Sequence, residues 1–438
     1  MHRLIALAVL LCVACGDKTE PPPEPTPDAG TEVREATLIV HSDWWNLEST
    51  FGVVKGITVL LGDGSRFRQP LGRDGIARFE DPAITGPQDI TVVIAGENKV
   101  VASTTLAMEG KEVWIRAGVG LLTSVPSSLQ ATLTGRVTNL RGSPAELRVV
   151  GEGFHNLTTY TTVDGTFRLD VLGANPGKVA LFVLGSTGGV RTYGLLRDIA
   201  VGGARTVSDL VIPMDRVMDQ RLPVEVTNVQ PYEAVKSVVA FHRLGSTHLW
   251  SAVGTATPPF EVPTLARTPP FDTVELVLSV SAGAYERVSS GFVAATTPMV
   301  DGGLTTLALP APMSLTSPTP GTFAAPGSAP RSGLTLGWST DPAAHVVTVR
   351  LTPLPLEGEP RLHWYLTAPA TVSGFAPFTL PAEVSELREL SAGHYRLEWS
   401  SHFLGTGHGY PEFLAPAPPP TGPDAWFTST YGSVILQD

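Results

Sequence analysis

The chain has 438 residues, 30 basic against 41 acidic side chains, a formal net charge of −11 at pH 7, and only 16% charged residues. That balance argues against nucleic acid and anionic lipid surfaces as partners, since both reward basic patches. With 44 glycines and 39 prolines the composition is wrong for a helical protein yet short of the level of a disordered one, and the length calls for several domains.

In chain order, His2 and Arg3 precede an apolar run from Leu4 to Val13 that is broken only by Cys12. The run is too short to cross a bilayer as a helix, which takes about 20 apolar residues, and it has the length of a signal-peptide core. Val13-Ala14-Cys15-Gly16 resembles the lipobox of bacterial lipoproteins, with small Ala14 ahead of the cysteine; Cys12 stands where leucine is usual. The resemblance implies that residues 1–14 are a lipoprotein signal peptide and that Cys15 becomes the first residue, with fatty acyl chains on its thiol and amine. The alternative is an ordinary secretory signal followed by an incidental cysteine. A single acyl chain holds a protein only reversibly, at about 0.8 kcal/mol per buried methylene, so firm anchoring takes several. Gly16 stands where inner-membrane retention favours aspartate, which implies the outer membrane of a Gram-negative cell, on either face.

Residues 15–34 form a lipidated cysteine and a Pro-rich linker. Pro21, Pro22, Pro23, Pro25 and Pro27 alternate with acids and almost no apolar side chains, so the segment cannot bury enough surface to offset its ordering entropy. In polyproline II at roughly 3.1 Å per residue the stretch from Asp17 to Arg34 reaches about 55 Å, which makes it a stalk. Cys12 and Cys15 are the two cysteines of the chain. With one lost and the other lipidated, no disulfide is expected, and the modules must be held by hydrophobic cores.

Beyond the stalk, helical periodicity is scarce and short strands separated by turn residues are frequent, the pattern of sandwiches or small barrels. The stretch GITVLLGDGSRFRQPLGRDGIARFED reads as strand, turn, strand, turn, strand. Asp74-Gly75-Ile76-Ala77-Arg78-Phe79 returns 90 positions later as Asp164-Gly165-Thr166-Phe167-Arg168-Leu169, and Gly135 to Asn139 returns at a shift of 89 as Val224 to Asn228. A period of this size fits one sandwich of about 100 residues. The fold expected is therefore all-β: tandem β-sandwich modules in a rod, spanning 35–125, 126–216, 217–313 and 314–438. Gly75 and Gly165 are the turn glycines, supplying the positive φ of a tight turn between two strands.

Gly135, Val137, Ala145, Leu147, the run Thr162 to Phe167, Pro176 to Val179 and Gly185 together resemble the carboxypeptidase regulatory-like (transthyretin-like) β-sandwich. Module one carries the same signs in Val59, Asp74, Gly75, Phe79, Gly86 and Val92, while module three lacks the Asp-Gly turn and is assigned by position and by its ends. In module four, Leu334 to Ser339 with Trp338 and Leu390 to Leu397 with Tyr395 resemble a fibronectin type III or immunoglobulin-like domain and its tyrosine corner. These resemblances imply a fold and say almost nothing of function.

The chain has no G-x-S-x-G, H-E-x-x-H, Walker or Rossmann motif. His394, His402 and His408 are widely spaced and lack a carboxylate partner, so no metal is expected there. Asp63, Asp74 and Asp81 read as turn-forming aspartates, because the alternating pattern of a calcium loop is missing. No cofactor and no enzymatic activity are expected. The candidate binding residues are aromatic: Trp44 and Trp45, and Tyr410, Phe413 and Trp426 in the long segment 402–427. If the modules lie in chain order, module four is farthest from the lipid and that segment is the tip. The reading is a non-enzymatic lipoprotein of the outer membrane with a structural, adhesive or protein-interaction role. The alternative is a binder of surface glycans through exposed aromatics, and neither names the partner.

Overall fold

The computed structural model describes residues 37–43, 51–116, 128–140, 142–155, 157–187, 190–232, 234–245, 247–255, 257–283, 292–298, 303–354, 360–415 and 424–438. The signal peptide, Cys15, the linker, Trp44 and Trp45 lie outside the described residues. Module one contributes β1 (Leu38–Asp43), β2 (Val54–Leu61), β3 (Phe67–Pro70), β4 (Ile76–Phe79), β5 (Gln88–Gly96), β6 (Val100–Met108) and β7 (Glu112–Arg116). Module two contributes β8 (Ser128–Thr138), β9 (Glu146–Val150), β10 (Thr158–Tyr160), β11 (Thr166–Gly173), β12 (Gly177–Thr187), β13 (Val190–Val201), β14 (Arg205–Pro213) and the short β15 (Arg216–Val217). Module three holds β16 (Gln220–Thr227), β17 (Val235–Leu244), β18 (Thr247–Val253), β19 (Phe260–Thr264), β20 (Glu275–Gly283), β21 (Phe292–Pro298) and β22 (Thr305–Ala308). Module four holds β23 (Ser314–Ser317), β24 (Gly327–Pro330), β25 (Leu336–Ser339), β26 (Val346–Leu354), β27 (Leu362–Pro369), β28 (Gly374–Phe375), β29 (Gly393–Phe403), the one-turn helix α1 (Tyr410–Leu414) and β30 (Trp426–Gln437). The protein is all-β, a rod of tandem sandwiches.

Modules one to three share one plan. Each has a three-stranded sheet, ordered β4-β1-β7, β11-β8-β14 or β19-β16-β22, in which the central strand pairs antiparallel on one side and parallel on the other. The facing sheets run β3-β2-β5-β6, β10-β9-β12-β13 and β18-β17-β20-β21. Module three follows the plan without the Asp-Gly turn.

Period-two alternation builds each core. On β11, Phe167, Leu169 and Val171 point inward while Thr166, Arg168 and Asp170 face solvent. The Asp-Gly turn has the same bonds in both modules that contain it. The Gly75 amide donates to the Gly72 carbonyl at 2.9 Å, and the Gly165 amide to the Thr162 carbonyl at 3.0 Å. The Gly75 and Gly165 carbonyls accept the Ser42 and Val137 amides of β1 and β8, the central strands of the sheets that the turns enter, both at 2.9 Å. The glycines have φ of 74° and 90°. The turns differ from the simple hairpin suggested by sequence: they carry the chain from one sheet to the other, β3 to β4 and β10 to β11.

The order of the modules in space corrects the sequence expectation. Module four is not the tip; it lies between modules one and three. Its β27 pairs in parallel with β6 of module one, from Leu362 opposite Val100 to Thr367 opposite Thr105. Its β30 pairs antiparallel with β21 of module three, from Ala295 opposite Trp426 to Phe292 opposite Ser429. One 13-stranded sheet therefore runs through three modules, in the order β18-β17-β20-β21-β30-β29-β26-β27-β6-β5-β2-β3, with β24 paired on β30. Module two docks on module three through a separate apolar cluster that includes Phe182, Tyr193, Trp250 and Phe271. The modules stand one, four, three, two.

Gly165→Val tests the turn. The valine would be forced into the left-handed region, and its Cβ would lie 2.3 Å from the Val137 carbonyl oxygen. Module two is expected to lose about 2 kcal/mol or more in chemical denaturation, with the transitions of the other modules unchanged; an unshifted module-two transition would contradict this geometry.

Candidate functional site

The aromatic residues of the segment 402–427 sit at seams. Tyr410, on α1, is half-buried against the module-one core, and its hydroxyl donates to the Leu106 carbonyl at 2.8 Å and lies 3.3 Å from that of Thr367. Burial, and then the Asp89 carboxylate, push its pKa above the ordinary tyrosine value. Phe413 packs against the same core and lies 5.4 Å from His402 between ring centres. Trp426 packs against the module-three core and stacks on Phe403 at 5.9 Å. The expected exposed tip is thus corrected: these side chains join module four to its neighbours, because the strands flanking them are the ones that enter the shared sheet.

The seam between modules one and four is also a merged core. On the four-stranded sheet of module one, Ile90, Val92 and Ile94 face their own sandwich, while Leu60, Val93, Ala102 and Leu106 join Trp364, Leu366, Leu380 and Leu390 of module four. Trp364 is fully buried, and its indole N–H donates to the Thr104 hydroxyl of module one at 3.1 Å. Thr104 in turn meets Thr91 at 2.8 Å. The buried Thr104 hydroxyl of β6 is thus satisfied across the seam, as buried polar groups must be.

Beside this seam a cleft of about 490 Å³ opens between β7 and α1. Its apolar walls include Met108, Trp114 and Leu414, and Tyr410 contributes its ring. Glu109 and Glu112, both exposed, stand at its rim, and among its described lining residues there is no lysine or arginine. Trp114 is partly exposed and stacks on His41 at 4.1 Å with 13° between the planes. The His41 Nε2 atom lies 2.6 Å from Glu112 Oε1. Alternation along β7 produces the arrangement: Val113 and Ile115 go to the core, so Glu112 and Trp114 share the outer face. Sequence reasoning took Trp44 and Trp45 and missed Trp114, although the pattern Glu-Val-Trp-Ile already carried that signal.

At the seam of modules three and two, Trp250 lies between Phe182, at 5.1 Å and 3°, and His242, at 4.0 Å and 12°. Around this stack Arg148 donates to the Leu249 carbonyl at 3.1 Å, Arg216 to that of Pro269 at 2.7 Å, and Arg197 pairs with Asp272 at 3.1 Å. Burial, and then the charge of His248, push the His242 pKa down to about 3. His248 is itself shifted down, by burial and then by Arg148 and Arg243.

Of the other residues considered, Asp63, Asp74 and Asp81 each accept the backbone amide two residues on. His394, His402 and His408 form no metal-binding group; among the described residues no cluster of three His, Cys, Asp or Glu could hold a metal ion.

No family model matches the chain, and no curated protein matches it. Among solved structures it is similar to a streptococcal ancillary pilin, at 10% identity over 63% of this chain and 98% of that one, with a TM-score of 0.15. It is also similar to two B repeat units of the collagen-binding protein of Staphylococcus aureus, at 10% identity over 84% and 93%, with a TM-score of 0.15. A third likeness is to the TIE protein of Bacillus anthracis, at 8% identity over 79% and 61%, with a TM-score of 0.14.

The seam histidine has a pH signature. Its folded pKa, about 3, lies below the value near 6.5 of an unfolded histidine. The unfolded chain therefore takes up a proton first as the pH falls. The stabilisation is complete above about pH 6.5 and is lost progressively toward about pH 3. His242→Phe is expected to flatten the fall in melting temperature of the full chain between pH 6.5 and 4 relative to the unmodified protein; equal slopes would contradict the placement of His242.

Proposed function

We propose that this protein is a non-enzymatic, lipid-anchored component of the outer membrane that holds a rigid β-sandwich body on a stalk for interaction with other proteins. The single observation that supports the reading best is the continuous sheet through modules one, four and three. Tandem domains joined by linkers alone move relative to one another, whereas strands hydrogen-bonded in one sheet, with a merged core behind them, make a stiff object. Stiffness suits an element that must keep a surface at a fixed orientation. The stalk at residues 15–34 would supply reach, and acyl chains on Cys15 would supply attachment.

The glycan-binding alternative is weaker. Of the aromatics on which it rested, Tyr410 and Trp426 serve the seams, and Trp44 and Trp45 lie outside the described residues. The carboxypeptidase regulatory-like and fibronectin type III-like assignments fit a scaffold role. The sandwiches have the shared seven-strand plan, and in module four the Tyr395 hydroxyl reaches the Ser391 carbonyl at 3.0 Å, as a tyrosine corner does.

Cys15→Ser tests the anchor. Cells fed a fatty-acid probe are expected to label the native protein in the membrane fraction and to leave the variant unlabelled, as an unprocessed or soluble form. A variant that keeps the label at native level would overturn the lipoprotein reading.

A further inference from the structure

We propose that the cleft between β7 and α1 receives an arginine or lysine side chain of a partner protein. The inference rests on the protein-interaction reading above and names the chemistry of the partner. Three observations lead to it.

The first is the distribution of hydrogen-bonding groups. At the rim, the Glu109 and Glu112 carboxylates only accept. The Tyr410 hydroxyl, the one phenol of the wall, is spent on the Leu106 carbonyl at 2.8 Å. The rim therefore favours a ligand that brings donors. An anion would meet two carboxylates with no lysine or arginine among the described lining residues to balance them.

The second is the apolar wall. Met108, Trp114 and Leu414 suit a methylene stem, and long cationic side chains bury their stems along apolar surface while their heads stay polar. Trp114 adds an indole at which a guanidinium or ammonium is attracted by the ring quadrupole. His41, stacked on Trp114 and 2.6 Å from Glu112, fixes the indole and one carboxylate relative to each other.

The third is charge. Glu109 and Glu112 line the cleft, and Asp89 accepts the amide of the lining residue Ala107 at 2.9 Å, on a chain of net charge −11. Such a field favours cationic partners and speeds their encounter. The cleft also depends on module four: β7 belongs to module one and α1 to module four, so neither alone forms it.

The test is a titration of the full chain, labelled with fluorotryptophan and followed by fluorine NMR at low ionic strength. The probes are three capped pentapeptides, Gly-Gly-Xaa-Gly-Gly, with arginine, lysine or glutamate at the centre, and a neutral linear trisaccharide. The arginine and lysine peptides are expected to shift the Trp114 resonance saturably, with weakening by salt. The double variant Glu109→Gln, Glu112→Gln, whose sites are exposed and whose melting is expected to be unchanged, should lose at least tenfold in affinity. Trp114→Phe should weaken binding less than Trp114→Ala. Absence of a shift with both basic peptides, an equal response to the glutamate peptide or the trisaccharide, or undiminished binding by the glutamine variant would each overturn the proposal. None of these outcomes bears on Cys15 labelling, so the anchor and the cleft stand or fall separately.

Discussion

A β-sheet edge is a row of unpaired N–H and C=O groups, and a protein must cover it, blunt it or risk pairing with another chain. That constraint organises this molecule. The three related sandwiches each end their larger sheet on the equivalent strand, β6, β13 or β21. In module two the two residues of β15 suffice to cap part of β13. In modules one and three module four does the work, pairing β27 on β6 and β30 on β21. Once both pairings are made the rest follows. The sheet becomes continuous, the back of module one is buried under module four, and the segment 402–427 is drawn into the seams.

The energetic logic favours a single body. Backbone pairing alone contributes modestly, because each bond replaces one to water. The apolar cluster behind β6 adds the larger share: it contains Trp364, Leu362, Leu366 and Leu380 at 1% exposure or less, and burial of such side chains is worth about 1.5–3 kcal/mol each. The polar side chains on β6 are then affordable. Thr104 bonds to Thr91 and to the Trp364 indole, so no unsatisfied hydroxyl is left at that point.

The sandwich modules were legible in the sequence because their signals are local. Asp-Gly turns, alternation such as Thr166 to Val171, and the tyrosine four residues after Ser391 are all written in neighbouring residues. The spatial order was not legible, because edge pairing runs through the main chain and leaves no side-chain motif. One trace was present. From Ile90 to Ala95 the apolar residues run on almost without interruption, and so do those from Val179 to Val183. Continuous apolar runs mark strands buried on both faces, and both stretches lie on sheets covered by a neighbouring module. The candidate cleft was hidden for a related reason. Its walls come from residues about 300 positions apart, such as Met108 and Tyr410, which the fold brings together where the Tyr410 hydroxyl meets the Leu106 carbonyl at 2.8 Å.

The central claim, that module four closes the edge of module one, is open to one direct measurement. The Val100 amide donates to the Arg361 carbonyl of module four at 3.2 Å. By alternation the amides of Ala102 and Thr104 point the same way, while those of Val101 and Ser103 point to β5. Residue-resolved hydrogen exchange on the full chain compares the two sets within one strand. The account predicts that both sets exchange slowly and together, as in an interior strand. Rapid exchange at Ala102 and Thr104, with Val101 and Ser103 still protected, would show β6 to be a free edge and would contradict it.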